Sequence, residues 1–217
     1  INAPDEIGVA RFNYGALHAN PDDRAALDTY IETLEDTNVA SLSDNEAIAF
    51  WANLYNAVTI KVVVDNYPVK SIREIKSGWR AGPWRRDLVT VGGKKLSLDD
   101  IEHDILRKQY PSLLIHYMVN CASIGCPNLG ASAWSADTLD ADREAAARIF
   151  INSPRGARIT DKGLKVSSIY KWFKEDFGGN EAGVLKHLRE YADEDLAAAI
   201  DGGAKITDYG YIWKLNE

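Results

Sequence analysis

From about residue 44 to 66, apolar side chains cover almost the whole circumference of a helix. Ala47, Ile48, Phe50, Trp51, Leu54, Tyr55, Ala57, Val58, Ile60, Val62 and Val63 leave no broad polar face. A surface helix shows one apolar stripe, whereas a helix apolar nearly all round has to be enclosed by the rest of its chain. Ser43 followed by Glu46 has the form of a capping box, and Pro68 stops the helix near Asn66. Three polar residues interrupt the pattern. At ~100° per residue, Glu46, Asn53 and Asn56 fall within about 80° of one another. Buried polar groups need partners, so the stripe predicts a shared polar cavity. The plainer reading gives Glu46 to the cap and the two amides to loops packed on the helix.

The remaining pattern is helix-rich. Pro21 opens a helix with Ala26, Leu27, Tyr30, Ile31 and Leu34 at helical spacing. Residues 87–96 alternate on both sides of Gly92-Gly93 and predict a β-hairpin. Ser97 and Asp100 form a second capping signal for a helix through Leu106. Residues 113–119 are apolar apart from His116, which leaves a strand and a short helix both open. Helices are expected over 140–151, from Ser168, over 181–191 and over 194–200, with a second hairpin over 158–166 and a strand-like tail over 209–215. The sum is one α+β domain of 217 residues, with small antiparallel hairpins around a central helix and residues 1–21 as an extension packed on it.

A net charge of -7 argues against non-specific nucleic-acid binding, which requires clustered cations. The one basic cluster interleaves Trp79, Arg80, Trp84, Arg85 and Arg86. It is either a stacking platform for a ligand, centred on Trp79, Trp84 and Arg85, or a surface loop with its rings tucked under it. No apolar run is long enough to predict a transmembrane segment. The chain begins at Ile1 rather than Met, which keeps export open.

Glycine-rich phosphate loops, dinucleotide fingerprints, paired-His zinc motifs, EF-hand loops and serine elbows are missing, so no cofactor is expected. The chemistry left is in His116, Cys121 and Cys126. A cysteine nucleophile needs a base to take its proton, and an imidazole needs an orienting acceptor. Cys121, His116 and Glu46 fill those roles, with Asn53 or Asn56 donating to an oxyanion or substrate carbonyl. A separation of five puts His116 and Cys121 on opposite faces of a strand, so the chain must change course between them. Cys121 is otherwise an inert buried thiol. Cys121 and Cys126 can close a local disulfide or stand as free thiols. His103, His116, Cys121 and Cys126 form a possible soft ligand set, but Cys-x4-Cys lies at the edge of zinc spacing with no second pair, and no metal is expected. His18 and His187 are assigned no role.

Five ordered segments carry a resemblance: Glu46 to Ala57, Leu98 to Arg107, His116 to Pro127, Ile169 to Phe177, and Tyr211 to Asn216. Over about residues 22–217 the chain resembles the domain of unknown function 547 family. The resemblance implies a shared fold, a periplasmic or cell-envelope location with a cytoplasmic one as the alternative, and a cysteine-hydrolase-like site at Glu46, His116 and Cys121. The expected function is a cofactor-independent cysteine hydrolase or acyltransferase acting on an amide or thioester, with a small peptide-like substrate or an envelope component as partner. The alternative is an envelope binding or scaffold module without turnover.

Overall fold

The computed structural model describes residues 5–76 and 78–217. α1 (Tyr14–Ala19) and α2 (Pro21–Glu35) meet at Asn20, whose side chain accepts from the N–H groups of Asp22 and Asp23. Pro21 stands in the first turn of α2, where no donor is needed. α3 (Asp44–Asp65) is the enclosed helix, with Ala52, Leu54 and Val63 fully buried. It is long and apolar enough by length and composition to cross a membrane, but 83% of that window is buried inside the chain's own fold.

After α3, β1 (Val89–Val91) and β2 (Lys94–Leu96) pair antiparallel as expected. Gly92 and Gly93 take φ of 57° and 76° at the turn, the left-handed region where a Cβ is penalised. Ser97 and Asp100 exchange hydrogen bonds of 2.8 and 3.2 Å. The helix they open departs from expectation. Residues Asp100–Leu106 are π-wound, not α-helical, before one ordinary turn, α4 (Arg107–Gln109). Runs of this kind are rare and frequent at functional sites.

Residues Leu113–Tyr117 form a 3-10 turn, resolving the choice between strand and helix. α5 (Leu139–Ile151) leads to β3 (Ala157–Thr160) and β4 (Gly163–Ser167), an antiparallel hairpin. The short α6 (Ile169–Trp172), α7 (Glu181–Tyr191) and α8 (Glu194–Asp201) follow. β5 (Ile206–Gly210) then adds to β4 in parallel, so the second sheet is mixed rather than purely antiparallel. The expected tail strand begins earlier than predicted and ends before Tyr211.

Two apolar clusters result. One gathers α1, α2, α3, the first hairpin and the π-helix. The other gathers α5 to α8 and the mixed sheet. The 3-10 turn lies between them: Ile115 packs into the first cluster, Leu114 and Tyr117 into the second. Phe12, Tyr14 and Leu17 pack on the first cluster, where Tyr14 is buried and donates to Asn216 Oδ1 at 2.9 Å, whereas Gly8 and Ala10 bond to Arg155 and Asn128; residues 1–4 of the expected extension lie outside the described residues.

Candidate functional site

A cavity of about 190 Å³ opens where the two clusters meet. Cys121, Cys126, His116, His103, Glu102 and Asp99 line it, and Tyr55, Trp84, Trp172, Phe173, Tyr211 and Trp213 form its aromatic wall. The π-helix presents Glu102 and His103, the 3-10 turn His116, and the segment after β5 Tyr211 and Trp213.

Between His116 and Cys121 the 3-10 turn ends at Tyr117 and the chain runs on irregularly, and just past Cys121 it bends sharply. Ala122 adopts φ of 60°, a left-handed conformation for a residue with a Cβ, which costs roughly 1–2 kcal/mol. Asn120 holds the bend: its Oδ1 accepts from Ala122 N–H at 2.7 Å and its Nδ2 donates to Pro127 O at 2.7 Å. Arg155 supports the far side, donating to the carbonyls of Ile124, Cys126 and Gly8. Cys121 is half-buried, Cys126 buried, and both are free thiols, so the local disulfide open to them is not formed.

The Tyr211 hydroxyl lies 3.0 Å from each sulfur, and Cys121 N–H donates to Cys126 Sγ at 3.0 Å. Burial raises the Tyr211 phenol well above its ordinary range, so it remains a donor. The two thiols titrate as a pair. Burial opposes ionisation of Cys126, but hydrogen bonds from the Cys121 thiol, the Tyr211 hydroxyl and the Cys121 N–H outweigh it and lower its pKa. Cys121 is pushed up by its hydrogen bond to Cys126 and by burial. The first thiolate of the pair therefore rests on Cys126.

His116 is oriented by Asp176, not by Glu46. His116 Nε2 lies 2.8 Å from Asp176 Oδ2, and its ring stacks on Phe173 at 4.4 Å between centroids. Arg107 donates to both oxygens of Asp176, at 2.6 and 2.9 Å. Burial raises the Asp176 pKa, but hydrogen bonds and charge from His116 and Arg107 pull it well below the ordinary carboxylate range. An ionised Asp176 only accepts, so Nε2 carries the proton in the neutral imidazole and Nδ1 is left as the basic nitrogen.

The structure corrects the other expected roles. Glu46 is exposed and completes its capping box, accepting from Ser43 N–H and Oγ at 2.8 and 2.7 Å. Asn53 exchanges two hydrogen bonds with the backbone of Trp134. Asn56 donates to Met118 O at 2.9 Å and accepts from Asn120 N–H at 2.8 Å. Both amides hold loops to α3, and neither lines the cavity. The basic loop divides. Trp84 faces the cavity and lies over Gly82, where an added Cβ would meet its ring at 1.7 Å. Arg85 reaches Asp99 at 3.2 Å. Trp79 is 89% exposed, with Arg80 over its ring at 5.4 Å. Among the described residues, no three His, Cys, Asp or Glu side chains are arranged to hold a metal ion. Asp176, Tyr211 and Glu102 were not singled out as site residues from the sequence. The signal for them was their place inside the segments that carry the family resemblance.

Fold and site together define a helix-rich α+β protein with an aromatic-walled cavity into which two thiols and two imidazoles open. A family described as "Protein of unknown function, DUF547" matches residues 39–151, and the chain belongs to it. The match includes Glu102, His116 and Cys121 but ends before Asp176 and Tyr211. No curated protein and no solved structure matches the chain.

Proposed function

We propose that this cavity carries cofactor-independent acyl transfer on an amide or thioester, with Cys121 as the attacking sulfur. One arrangement supports the reading: the half-buried Cys121 thiol opens onto the same cavity as an imidazole whose Nε2 is clamped by Asp176. Cys121 Sγ forms the C–S bond to the carbonyl carbon while its proton passes to His116 Nδ1. Asp176 stabilises the imidazolium, which then protonates the departing amine or thiol. Water regenerates the thiol in a hydrolase; a second nucleophile does so in a transferase. The Tyr211 hydroxyl is placed to donate to the sulfur or the developing oxyanion. Cys121 and His116 are not hydrogen-bonded to each other. Catalytic hydrogen bonds often tighten only once substrate is bound.

The test uses p-nitrophenyl acetate and mass spectrometry of the acetylated peptides. The adduct is expected on Cys121, absent in Cys121→Ser, and formed about a hundredfold more slowly in His116→Ala. Unchanged acetylation in His116→Ala rejects the reading.

One observation favours a second reading, a binding module without turnover: the Cys121 thiol is held protonated rather than activated. On that reading Cys121→Ser retains ligand at full strength. Under either, the proposed location is the periplasm or cell envelope, with a small peptide-like molecule or an envelope component as partner.

A further inference from the structure

Glu102 is only 9% exposed and lines the cavity, yet no ion pair or hydrogen bond of ordinary length reaches its carboxylate from the described residues. A buried charge without a partner is unfavourable and calls for an opposite charge. The surroundings supply one only at a distance: the Arg107 charge acts on Glu102, but no ion-pair contact joins them. Among the described residues, no Lys or Arg lines the cavity. Arg107 spends both Nε and Nη2 on Asp176. The Tyr55 hydroxyl is kept protonated by burial, by the Glu102 charge and by a long hydrogen bond to Glu102, so it offers the carboxylate a neutral donor and no positive charge. Asp99 adds a second carboxylate, met by Arg85 at 3.2 Å and by His103 at 3.7 Å.

The aromatic wall of the same cavity is electron-rich. Trp84 and Trp213 meet edge to face at 5.8 Å, and Trp172 and Trp213 lie 5.6 Å apart. Arg73 already stands over Trp213 at 5.1 Å, which leaves Trp84 and Trp172 as the free indoles. Indole faces attract cations most strongly when the site is shielded from water.

We infer that the ligand of this cavity carries a protonated amine, seated against Glu102 and facing the Trp84 and Trp172 indoles. The inference rests on the acyl-transfer reading and gives it a substrate class: an amide or thioester with an ammonium group beside the reacting carbonyl. The small volume fits a group about the size of one amino acid rather than a long chain.

Binding is tested apart from turnover, by tryptophan fluorescence titration with n-butylammonium, 1-butanol and butyrate. Butylammonium is expected to bind wild type and Cys121→Ser alike, and about tenfold more weakly to Glu102→Gln. Neither 1-butanol nor butyrate should match it. Glu102 makes no ion-pair contact, so Glu102→Gln is expected to fold with a melting temperature close to that of wild type. Should that variant fail to fold, Trp84→Leu is the second test and is also expected to weaken butylammonium. Equal binding of 1-butanol or butyrate overturns the inference, as does undiminished butylammonium binding in the folded variants. Acetylation of Cys121 is measured separately, so failure of the catalytic reading leaves a distinct result.

Discussion

His187 is buried beside Tyr117, Phe177 and Tyr191, with Nε2 2.7 Å from the Tyr117 hydroxyl and Nδ1 without a partner among the described residues. Burial, with a smaller contribution from the His116 charge, lowers its pKa to about 4. The folded state resists protonating it, while the unfolded chain accepts a proton near pH 6.5. Its contribution to stability is therefore whole above about pH 6.5 and lost as pH falls toward 4, amounting to about 3 kcal/mol. Denaturant melts of His187→Phe against wild type should show this slope vanish over that range. The paired thiols give a second residue-scale prediction. Cys126 is the cause that raises Cys121 most. In wild type, alkylation of Cys121 by iodoacetamide should have its pH midpoint above the ordinary thiol value of about 8.5. Cys126→Ala should bring that midpoint down, and an unchanged midpoint would mean that the sulfurs do not share a charge.

At the scale of elements, α3 acts on the site through what it anchors. Asn56 holds both Met118 and Asn120, the two ends of the approach to Cys121. Asn56→Ala leaves a buried N–H unpaired and should cost about 2 kcal/mol, with slower acetylation of Cys121 as the bend loosens. Glu46→Ala offers the contrast. It removes only an exposed cap, so the melting temperature should fall slightly while acetylation is unchanged; a large loss of acetylation would return Glu46 to the site. The π-winding of Asp100–Leu106 has its own consequence. Glu102 and His103 both line the cavity while Ile101, Ile105 and Leu106 remain in the core.

At the scale of the molecule, the last residues bind the two clusters together. Lys214 and Ile212 accept from Ile124 and Gly125, Leu215 N–H donates to Lys70 O, and Asn216 O accepts from Phe12 N–H. Tyr211 and Trp213 meanwhile close the cavity. Truncation after Gly210 removes the buried Leu215 and Asn216 together with this wall. It should lower the melting temperature markedly and abolish butylammonium binding. Retention of both would show that the tail is dispensable. Below pH 4 the Asp176 clamp adds to acid unfolding. Its depressed pKa stabilises the fold above the ordinary carboxylate range and that gain is lost as pH falls through the folded value.

The enclosed α3, its cap at Ser43 and Glu46, and the Gly92-Gly93 hairpin were legible in the sequence, because each depends on neighbours a few residues away. His116 and Cys121 could be picked out by residue type, and both line the cavity. What orients His116 was not legible. A cap carboxylate and a distant Asp176 are equal as letters, and only packing of the segment after α6 against the 3-10 turn puts one of them 2.8 Å from the imidazole. The parallel addition of β5 to β4, the π-winding before Arg107 and the shared Tyr211 hydroxyl likewise depend on contacts between segments far apart in the chain. Local periodicity fixes which faces must be covered; the tertiary structure decides which distant residue covers them, and here that choice makes the site.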